Sequence, residues 1–300
     1  MASAPSSELH SRTGDASGTW RHPSVLVGLV GTGIQASRTP ALHEKEGAEQ
    51  GLRYIYKLID LEALGLDAGM LPEILTAAQR FGFAGLNITH PCKQTVIPLL
   101  DELSPDATAL GAVNTVVLRN GRRVGHNTDW WGFAESFRRE LPDVCRDRVV
   151  QFGAGGAGAA VAHALLTLGA GEVVIIDTDA HRARDLAAAL RARFGEGRAS
   201  SGSSPSEALA SADGMVNTTP LGMAKYPGMV IPAELLRPDL WVADIVYFPL
   251  ETELLRQARA RGCSTLSGGG MAVFQAAGAF QLFTGLQANA ERMLRHFSDM

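Results

Sequence analysis

The residues best suited to chemistry include a glycine-rich turn, Gly153-Ala154-Gly155-Gly156-Ala157, which lies between the apolar run 149–152 and an alanine-rich segment. A strand that ends in such a turn and leads into a helix presents unpaired N–H groups at the helix start, where a pyrophosphate can bind. A second apolar run, Glu172–Ile176, ends at Asp177, where a carboxylate can accept hydrogen bonds from a ribose. A glycine turn can also serve packing alone, but this context predicts a dinucleotide-binding domain over residues 129–267.

Other polar side chains gather at two points in the first half of the chain. The segment Asn87-Ile88-Thr89-His90-Pro91-Cys92-Lys93 follows an apolar run, and open α/β sheets bind ligands at the carboxyl ends of their strands. Ser37 and Thr39 precede Pro40, so we expect Thr39 to be the N-cap of a helix from Ala41 to about Gln50. Two hydroxyls at a helix start can bind a small carboxylate, although a capped helix with an exposed serine explains them equally well.

The elements that must position these residues alternate between strands and helices. In the first half we predict a helix over Gly69–Phe81 and strands over Val25–Val30, Tyr54–Ile59, Ala84–Ile88 and Leu110–Leu118. In the second half we predict strands over Asp213–Thr218 and Trp241–Tyr247, helices over Ala159–Leu168, Ala180–Phe194 and Glu251–Arg261, and a loop over Ser200–Ser206. Ser267–Met271 has the composition of a hinge-like turn before a long apolar helix, Met271–Phe283.

This alternation predicts an α/β fold with two domains. An N-terminal α/β domain would comprise residues 23–128 and 268–300. A Rossmann-type domain with a doubly wound parallel sheet would comprise residues 129–267. Residues 1–22 are rich in small polar side chains and lack the apolar segment of a secretory signal, so we expect a mobile tail.

Composition argues against several classes of partner. The net charge is −4, and the basic residues are scattered, which gives no reason to expect nucleic acid or an anionic membrane as a partner. No run of about 18 apolar residues occurs, so we expect no membrane span. The three cysteines lie far apart and outside metal-ligand spacings, which predicts a reducing, cytoplasmic location and no structural metal.

Seven motifs in a fixed order give the chain a resemblance to the shikimate/quinate dehydrogenase family over residues 25 to about 285. They are Ser37-x-Thr39-Pro40, Asn87 to Lys93, Gly111 to Thr115, Asn127 to Asp129, Gly153 to Gly156, Asn217 to Met223, and Gly270-Met271 followed by Gln275. The resemblance implies an enzyme that transfers hydride between a nicotinamide cofactor and C3 of shikimate or quinate, with the substrate between two domains.

The resemblance also implies roles for individual residues. Lys93 and Asp129 would be the catalytic acid/base pair, which the loss of a hydroxyl proton during alcohol oxidation requires. The substrate would be bound by Ser37, Thr39, Thr89, Asn114, Tyr247 and Gln275. The cofactor site would be lined by Gly153, Ala154, Gly155, Gly156, Ala157, Asp177, Arg182, Thr218, Ile245 and Gly268.

Two departures from the family pattern bear on specificity. Members that use NADP tend to carry Asn-Arg-Thr where this chain has Asp177-Thr178-Asp179. A carboxylate there would repel a 2′-phosphate by about 4 kcal/mol at ~4 Å and an effective dielectric near 20, so we expect NAD. Thr39 replaces the serine usual in biosynthetic members and resembles the quinate/shikimate dehydrogenases of catabolism. Cys92 either widens the pocket, as in relatives acting on aminoshikimate, or serves packing, which we favour.

Three alternatives remain open from the sequence. The first two are an NADP-dependent biosynthetic shikimate dehydrogenase and an aminoshikimate-type dehydrogenase. The third, a noncatalytic NAD-binding sensor, is disfavoured by the presence of both Lys93 and Asp129. The sequence leaves open whether the protein is a monomer or a homodimer.

Overall fold

The computed structural model describes residues 23–300, so the expected tail over residues 1–22 lies outside the described residues. Residues 23–300 contain two six-stranded sheets. The strands of the first are β1 (Ser24–Gly31), β2 (Arg53–Asp60), β3 (Gly85–Ile88), β4 (Glu102–Leu103), β5 (Thr115–Arg119) and β6 (Arg122–His126). Those of the second are β7 (Arg148–Phe152), β8 (Glu172–Ile176), β9 (Ala199–Ser201), β10 (Gly214–Asn217), β11 (Trp241–Asp244) and β12 (Thr265–Leu266).

The helices that cover these sheets follow the strands along the chain. They are α1 (Thr39–Glu49), α2 (Leu71–Arg80), α3 (Cys92–Thr95), α4 (Pro105–Leu110), α5 (Asp129–Glu140), α6 (Gly156–Thr167), α7 (Ala180–Phe194), α8 (Pro205–Leu209), α9 (Glu253–Ala260), α10 (Gly268–Thr284) and α11 (Ala290–Ser298). Short 3₁₀ turns occupy Ala68–Met70, Ile97–Leu99 and Ala233–Leu235. Within residues 23–300, no helix is both long and apolar enough to cross a membrane.

The second sheet has the order β12-β11-β10-β7-β8-β9, and all its strand pairs are parallel. The order reverses between β7 and β10, which is the switch point where doubly wound sheets leave a crevice for a dinucleotide. The predicted α/β fold with a Rossmann-type parallel sheet is therefore confirmed. The first sheet has the order β2-β1-β3-β5-β6-β4 and is mixed, because β5 runs antiparallel to both β3 and β6.

Helix α10 connects the two halves of the molecule. Its later residues Ala279, Phe280 and Phe283 pack on the first sheet beside Val27 and Tyr54. Its start approaches the second sheet so closely that a Cβ on Gly268 would lie 2.2 Å from the carbonyl oxygen of Ile245. The turn predicted for Ser267–Met271 is thus wrong, because the glycines there begin the helix and allow this close approach. The domain boundaries expected from the sequence stay a prediction.

Four further sequence predictions need correction. The strand predicted over Leu110–Leu118 begins only at Thr115, because Ser104 caps α4, whose last residue is Leu110. The loop predicted over Ser200–Ser206 contains the end of β9, which pairs with β8.

The strand predicted over Trp241–Tyr247 ends at Asp244, whose side chain accepts the N–H of Val246 at 3.1 Å and turns the chain there. Thr39 is not the N-cap of α1. Arg38 takes that place without a side-chain hydrogen bond, and the N–H of Thr39 donates to Ser37 Oγ at 3.3 Å.

Candidate active site

A cleft of about 520 Å³ lies between the two sheets, at the ends of strands β3, β10 and β11. It gathers most of the side chains that the sequence predicted for a site. The lining includes Lys93 and Asp129, all six expected substrate residues (Ser37, Thr39, Thr89, Asn114, Tyr247 and Gln275), and four expected cofactor residues (Ala157, Thr218, Ile245 and Gly268). Cys92 is fully buried in the core and does not line the cleft, in agreement with a packing role.

Lys93 and Asp129 form an ion pair at the floor of the cleft. Lys93 stands in the single-turn helix α3 directly after the β3 loop, and Asp129 is the first residue of α5. The distance from Lys93 Nζ to Asp129 Oδ2 is 2.6 Å, and the two side chains are 22% and 10% exposed. The pair is therefore shielded from bulk water but open to a molecule in the cleft, as proton transfer to a bound substrate requires.

Asn114 holds the other oxygen of this carboxylate. Its two amide hydrogens go to Asp129 Oδ1 at 2.8 Å and to Thr128 Oγ1 at 2.9 Å. Its side-chain oxygen, Oδ1, accepts the backbone N–H of Thr128 at 2.8 Å. Both amide hydrogens of Asn114 are engaged with the protein, and one of them orients the carboxylate of Asp129. The expected contact of Asn114 with substrate stays a prediction.

The cleft also carries hydroxyl, amide and cationic groups. Ser37 and Thr39 lie at the start of α1, and Gln275 projects from α10 with its amide donating to the carbonyl of Ala272 at 2.9 Å. Arg38 stands between Ser37 and Thr39 in the sequence. Its guanidinium lies 5.4 Å from the ring centre of Phe248 and 5.6 Å from that of Phe297. Sequence reasoning missed Arg38, because nothing in its local pattern showed that it would face the cleft.

The glycine turn meets the cleft beside Lys93. A Cβ on Gly156, the first residue of α6, would lie 3.9 Å from Lys93 Cδ, so the lysine side chain passes the start of this helix. Helix α6 has no side-chain cap, which leaves N–H groups at its start for an anion. The turn itself is compact, since a Cβ on Gly158 would lie 2.4 Å from the carbonyl oxygen of Gly153.

Gln151, which sequence reasoning also missed, holds this turn from strand β7. Its buried amide donates to the carbonyls of Gly153 at 2.8 Å and Gly158 at 2.9 Å. A buried glutamine in an otherwise apolar strand, just before a glycine turn, was the signal that could have found it. These contacts fit a nucleotide pyrophosphate, because the backbone is held open and free of side chains where the phosphates would lie.

The remaining expected cofactor residues are not part of the cleft lining. They are Gly153, Ala154, Gly155, Gly156, Asp177 and Arg182. Asp177 Oδ2 accepts the N–H of Ala154 at 2.7 Å, which joins the end of β8 to the turn. Arg182 is exposed in the first turn of α7, and the neighbouring Arg184 bonds to His181 Nδ1 at 3.0 Å.

Asp244, a third residue missed from the sequence, ties together the two loops that border the cleft. It accepts the amide of Asn217 at 3.0 Å and the hydroxyl of Thr252 at 2.7 Å. Burial raises the pKa of Asp244 to about 6, while the hydrogen bonds from Thr252 and Asn217 oppose that rise. Asn217 in turn accepts both donors of Thr219, so one buried carboxylate fixes the loops that follow β10 and β11.

Known proteins match both the sequence and the overall fold of this chain. Residues 29–116 match the family model described as the shikimate dehydrogenase substrate binding domain. A protein of Streptomyces avermitilis named shikimate dehydrogenase (NADP(+)) is 60% identical over 279 residues, which cover 92% of this chain and 96% of that protein. A protein of Corynebacterium efficiens named quinate/shikimate dehydrogenase (NAD(+)) is 49% identical over 279 residues, which cover 92% of this chain and 98% of that protein.

A solved structure agrees with these relatives. Quinate dehydrogenase from Corynebacterium glutamicum in complex with NAD matches with a TM-score of 0.88 and 47% identity, covering 93% of this chain and 100% of that one. The resemblance stated from seven motifs is therefore confirmed over nearly the whole described structure. The chain belongs to the shikimate dehydrogenase family, whose members include proteins named for quinate as well as for shikimate.

Proposed function

We propose that the protein is an NAD-dependent quinate/shikimate dehydrogenase, which transfers hydride reversibly between NAD and the C3 hydroxyl of quinate or shikimate. The observation that carries the proposal is the place of Lys93. Its ammonium is held by Asp129 in the cleft, while its aliphatic stem passes near Gly156 at the start of α6, 3.9 Å from where a Cβ on that residue would lie. One side chain is thus placed between the cleft for the alcohol and the turn suited to the cofactor pyrophosphate.

The cofactor supplies the hydride acceptor for alcohol oxidation and the hydride donor for ketone reduction. Lys93 moves the proton: its amine accepts the C3 hydroxyl proton as the alcohol becomes a ketone, and its ammonium returns that proton in the reverse direction. Asp129 orients the lysine through the 2.6 Å contact. Asn114 keeps the carboxylate from rotating, because it bonds the oxygen that Lys93 does not use.

Asp177 supports NAD rather than NADP. It stands at the end of β8, where a carboxylate can accept the ribose hydroxyls of NAD and repels a 2′-phosphate. Its hydrogen bond to the N–H of Ala154 fixes it next to the glycine turn. The alternative is an NADP-dependent shikimate dehydrogenase, which is favoured by the name of the 60% identical relative from Streptomyces avermitilis.

The carboxylate of quinate or shikimate would lie at the start of α1. Ser37 and Thr39 present hydroxyls there, Gln275 and Tyr247 line the same cleft, and Arg38 adds a positive charge. Thr89 also lines the cleft and would bind a ring hydroxyl. The partners in this proposal are small molecules alone, with no nucleic acid or membrane, and the protein would act as a monomer or homodimer in the cytoplasm.

The purified full-length protein tests the proposal with four combinations, in which NAD or NADP is paired with quinate or shikimate. We expect the absorbance of reduced nicotinamide to rise with NAD and at least one of the two substrates. A kcat/KM for NADP that exceeds the value for NAD would favour the biosynthetic alternative. No turnover in any combination, together with tight binding of NAD, would replace the dehydrogenase with a nucleotide sensor.

A further inference from the structure

A line of buried hydrogen bonds leads to Asp129 from Tyr56 in strand β2 of the first sheet. The hydroxyl of Tyr56 donates to Asn87 Oδ1 at 2.8 Å, and the amide of Asn87 donates to Thr115 Oγ1 at 3.0 Å. The hydroxyl of Thr115 donates to Asn114 Oδ1 at 3.0 Å, and the amide of Asn114 donates to Asp129 Oδ1 at 2.8 Å. We call these four bonds the buried hydrogen-bond chain.

Every bond of the chain points the same way, towards the carboxylate. Each interior group accepts a hydrogen bond from the group before it and donates one to the group after it, an arrangement in which the bonds polarise and strengthen one another. Asn114 also exchanges hydrogen bonds with Thr128 outside this chain. The sheet makes this directed arrangement possible because Asn87 and Thr115 are paired directly opposite each other in β3 and β5, which places their side chains on the same face. A change at the first donor therefore reaches the last acceptor through protein groups alone.

The chain is largely buried. Counted over whole residues, its five members are each at most 7% exposed, and Asn87, Asn114 and Asp129 meet the cleft. Tyr56 does not line the cleft, and its ring packs against the buried ring of His43, with 4.9 Å between the ring centres. Burial raises the pKa of the Tyr56 phenol well above its usual value, so this hydroxyl keeps its proton and remains a donor.

We propose that Tyr56 is a positioning residue for the reaction: acting through the buried hydrogen-bond chain, its hydroxyl fixes the carboxylate of Asp129 in the orientation that holds Lys93. The inference rests on the proposed function, since it assigns the proton transfer to that pair. Tyr56 touches neither substrate nor cofactor. Its loss should therefore slow the chemical step and leave the binding of both reactants nearly unchanged.

The test compares Tyr56→Phe with Tyr54→Phe in the full-length protein. Both substitutions remove one buried phenol oxygen from strand β2, and the two tyrosines are 6% and 7% exposed. The hydroxyl of Tyr54 lies 3.1 Å from His43 Nδ1 and takes no part in the chain, which makes this variant the matched control. We expect kcat to fall about three- to tenfold in Tyr56→Phe, with both KM values within about twofold, and kcat in Tyr54→Phe to stay within about twofold of wild type.

A second pair of variants interrupts the chain at its centre. Thr115→Val keeps the shape of a fully buried side chain but removes the hydroxyl, and Thr115→Ser keeps the hydroxyl. We expect Thr115→Val to lower kcat at least as much as Tyr56→Phe, and Thr115→Ser to retain at least about half of the wild-type value. Equal losses of kcat in Thr115→Val and Thr115→Ser would assign the effect to packing and overturn the proposal. Equal losses of kcat in Tyr56→Phe and Tyr54→Phe would do the same. An unchanged kcat in Tyr56→Phe would overturn it as well.

A readout independent of turnover separates this proposal from the proposed function. The side-chain amide ¹H–¹⁵N resonances of Asn114 should move in Tyr56→Phe and Thr115→Val but stay in place in Tyr54→Phe. A wild-type protein without turnover would contradict the proposed function alone. The Asn114 resonances would then decide whether the buried hydrogen-bond chain links Tyr56 to Asp129. Asn114 resonances that ignore both substitutions would show that Tyr56 does not act on Asp129.

Discussion

The backbone N–H of Ala154 donates a hydrogen bond to Asp177 Oδ2 at 2.7 Å, which locks the acidic end of β8 to the second residue of the glycine turn. This contact fixes a negative charge beside the place expected for the ribose next to adenine. We predict that Asp177→Asn lowers the ratio of kcat/KM for NAD to that for NADP by about tenfold or more, because the amide removes the charge that repels a 2′-phosphate. Steady-state kinetics with each cofactor measure the ratio.

Asp177→Asn keeps an oxygen for the N–H of Ala154, so its effect reports charge rather than a collapsed turn. Arg182→Ala is the control, since Arg182 is exposed on α7 and we expect it to leave the ratio within about threefold. A ratio that stays constant in Asp177→Asn would mean that another residue selects the cofactor. A sharp loss of NADP use in Arg182→Ala would identify that residue.

Arg38 brings a positive charge to the cleft, and no carboxylate among the described residues pairs with it. Lys93 is already paired with Asp129, whereas the guanidinium of Arg38 lies over the rings of Phe248 and Phe297 and forms no salt bridge within residues 23–300. An anionic substrate should therefore be attracted mainly by Arg38. We predict that Arg38→Leu raises the KM for quinate or shikimate about five- to twentyfold, with kcat within about threefold and the KM for NAD unchanged.

The effect of Arg38 should also depend on salt, because a half-exposed charge is screened. The difference in KM between wild type and Arg38→Leu should shrink between low and high ionic strength. An unchanged KM at low ionic strength would show that the hydroxyls of Ser37 and Thr39 bind the carboxylate without help from the guanidinium.

Sequence reasoning found the groups whose neighbours along the chain carry a pattern. The glycine turn and Asp177 were located because a strand, a turn and a second strand surround them, and Lys93 because a polar cluster follows an apolar run. The strand over Leu110–Leu118 was overextended because the branched apolar residues after Gly111 outweighed the helix-start signal of Ser104 and Pro105.

Two of the missed residues, Asp244 and Arg38, have partners that are distant in sequence. Asp244 is a lone carboxylate at the end of a strand, and only folding brings Asn217 and Thr252 to it. Arg38 reaches Phe297 across 259 positions, which no local pattern encodes. The hydrogen bonds of Asn114 likewise depend on the placement of α5 against β5, so the sequence could assign the residue to the site but not say what it holds.

Stability should fall at acid pH because of His43. Burial lowers the pKa of His43 to about 3, and Nε2 has no hydrogen-bond partner within the described structure. The unfolded chain binds a proton at this position below a pKa of about 6.5, while the folded chain resists it, so stability is complete above that pH and is lost as pH falls towards 3. At pH 5 this single group should cost about 2 kcal/mol of the free energy of unfolding.

Urea unfolding of wild type and His43→Phe at pH 7.5 and pH 5 measures this contribution. We expect the drop between the two pH values to be about 2 kcal/mol smaller in His43→Phe, because phenylalanine fills the aromatic cluster around Tyr54 and Phe280 without titrating. His181→Gln, at an exposed position of α7, should leave the drop unchanged. An equal drop in all three proteins would mean that His43 is not the group that titrates.

The proposed reaction depends on the proton carried by Lys93, and its most direct test is the kcat of Lys93→Ala for NAD-dependent oxidation of quinate or shikimate. We expect a loss of about 1000-fold or more, with the dissociation constants for substrate and NAD within about tenfold of wild type, since the substitution removes proton transfer and leaves the two binding regions in place. A variant that retains a kcat within about tenfold of wild type would contradict it.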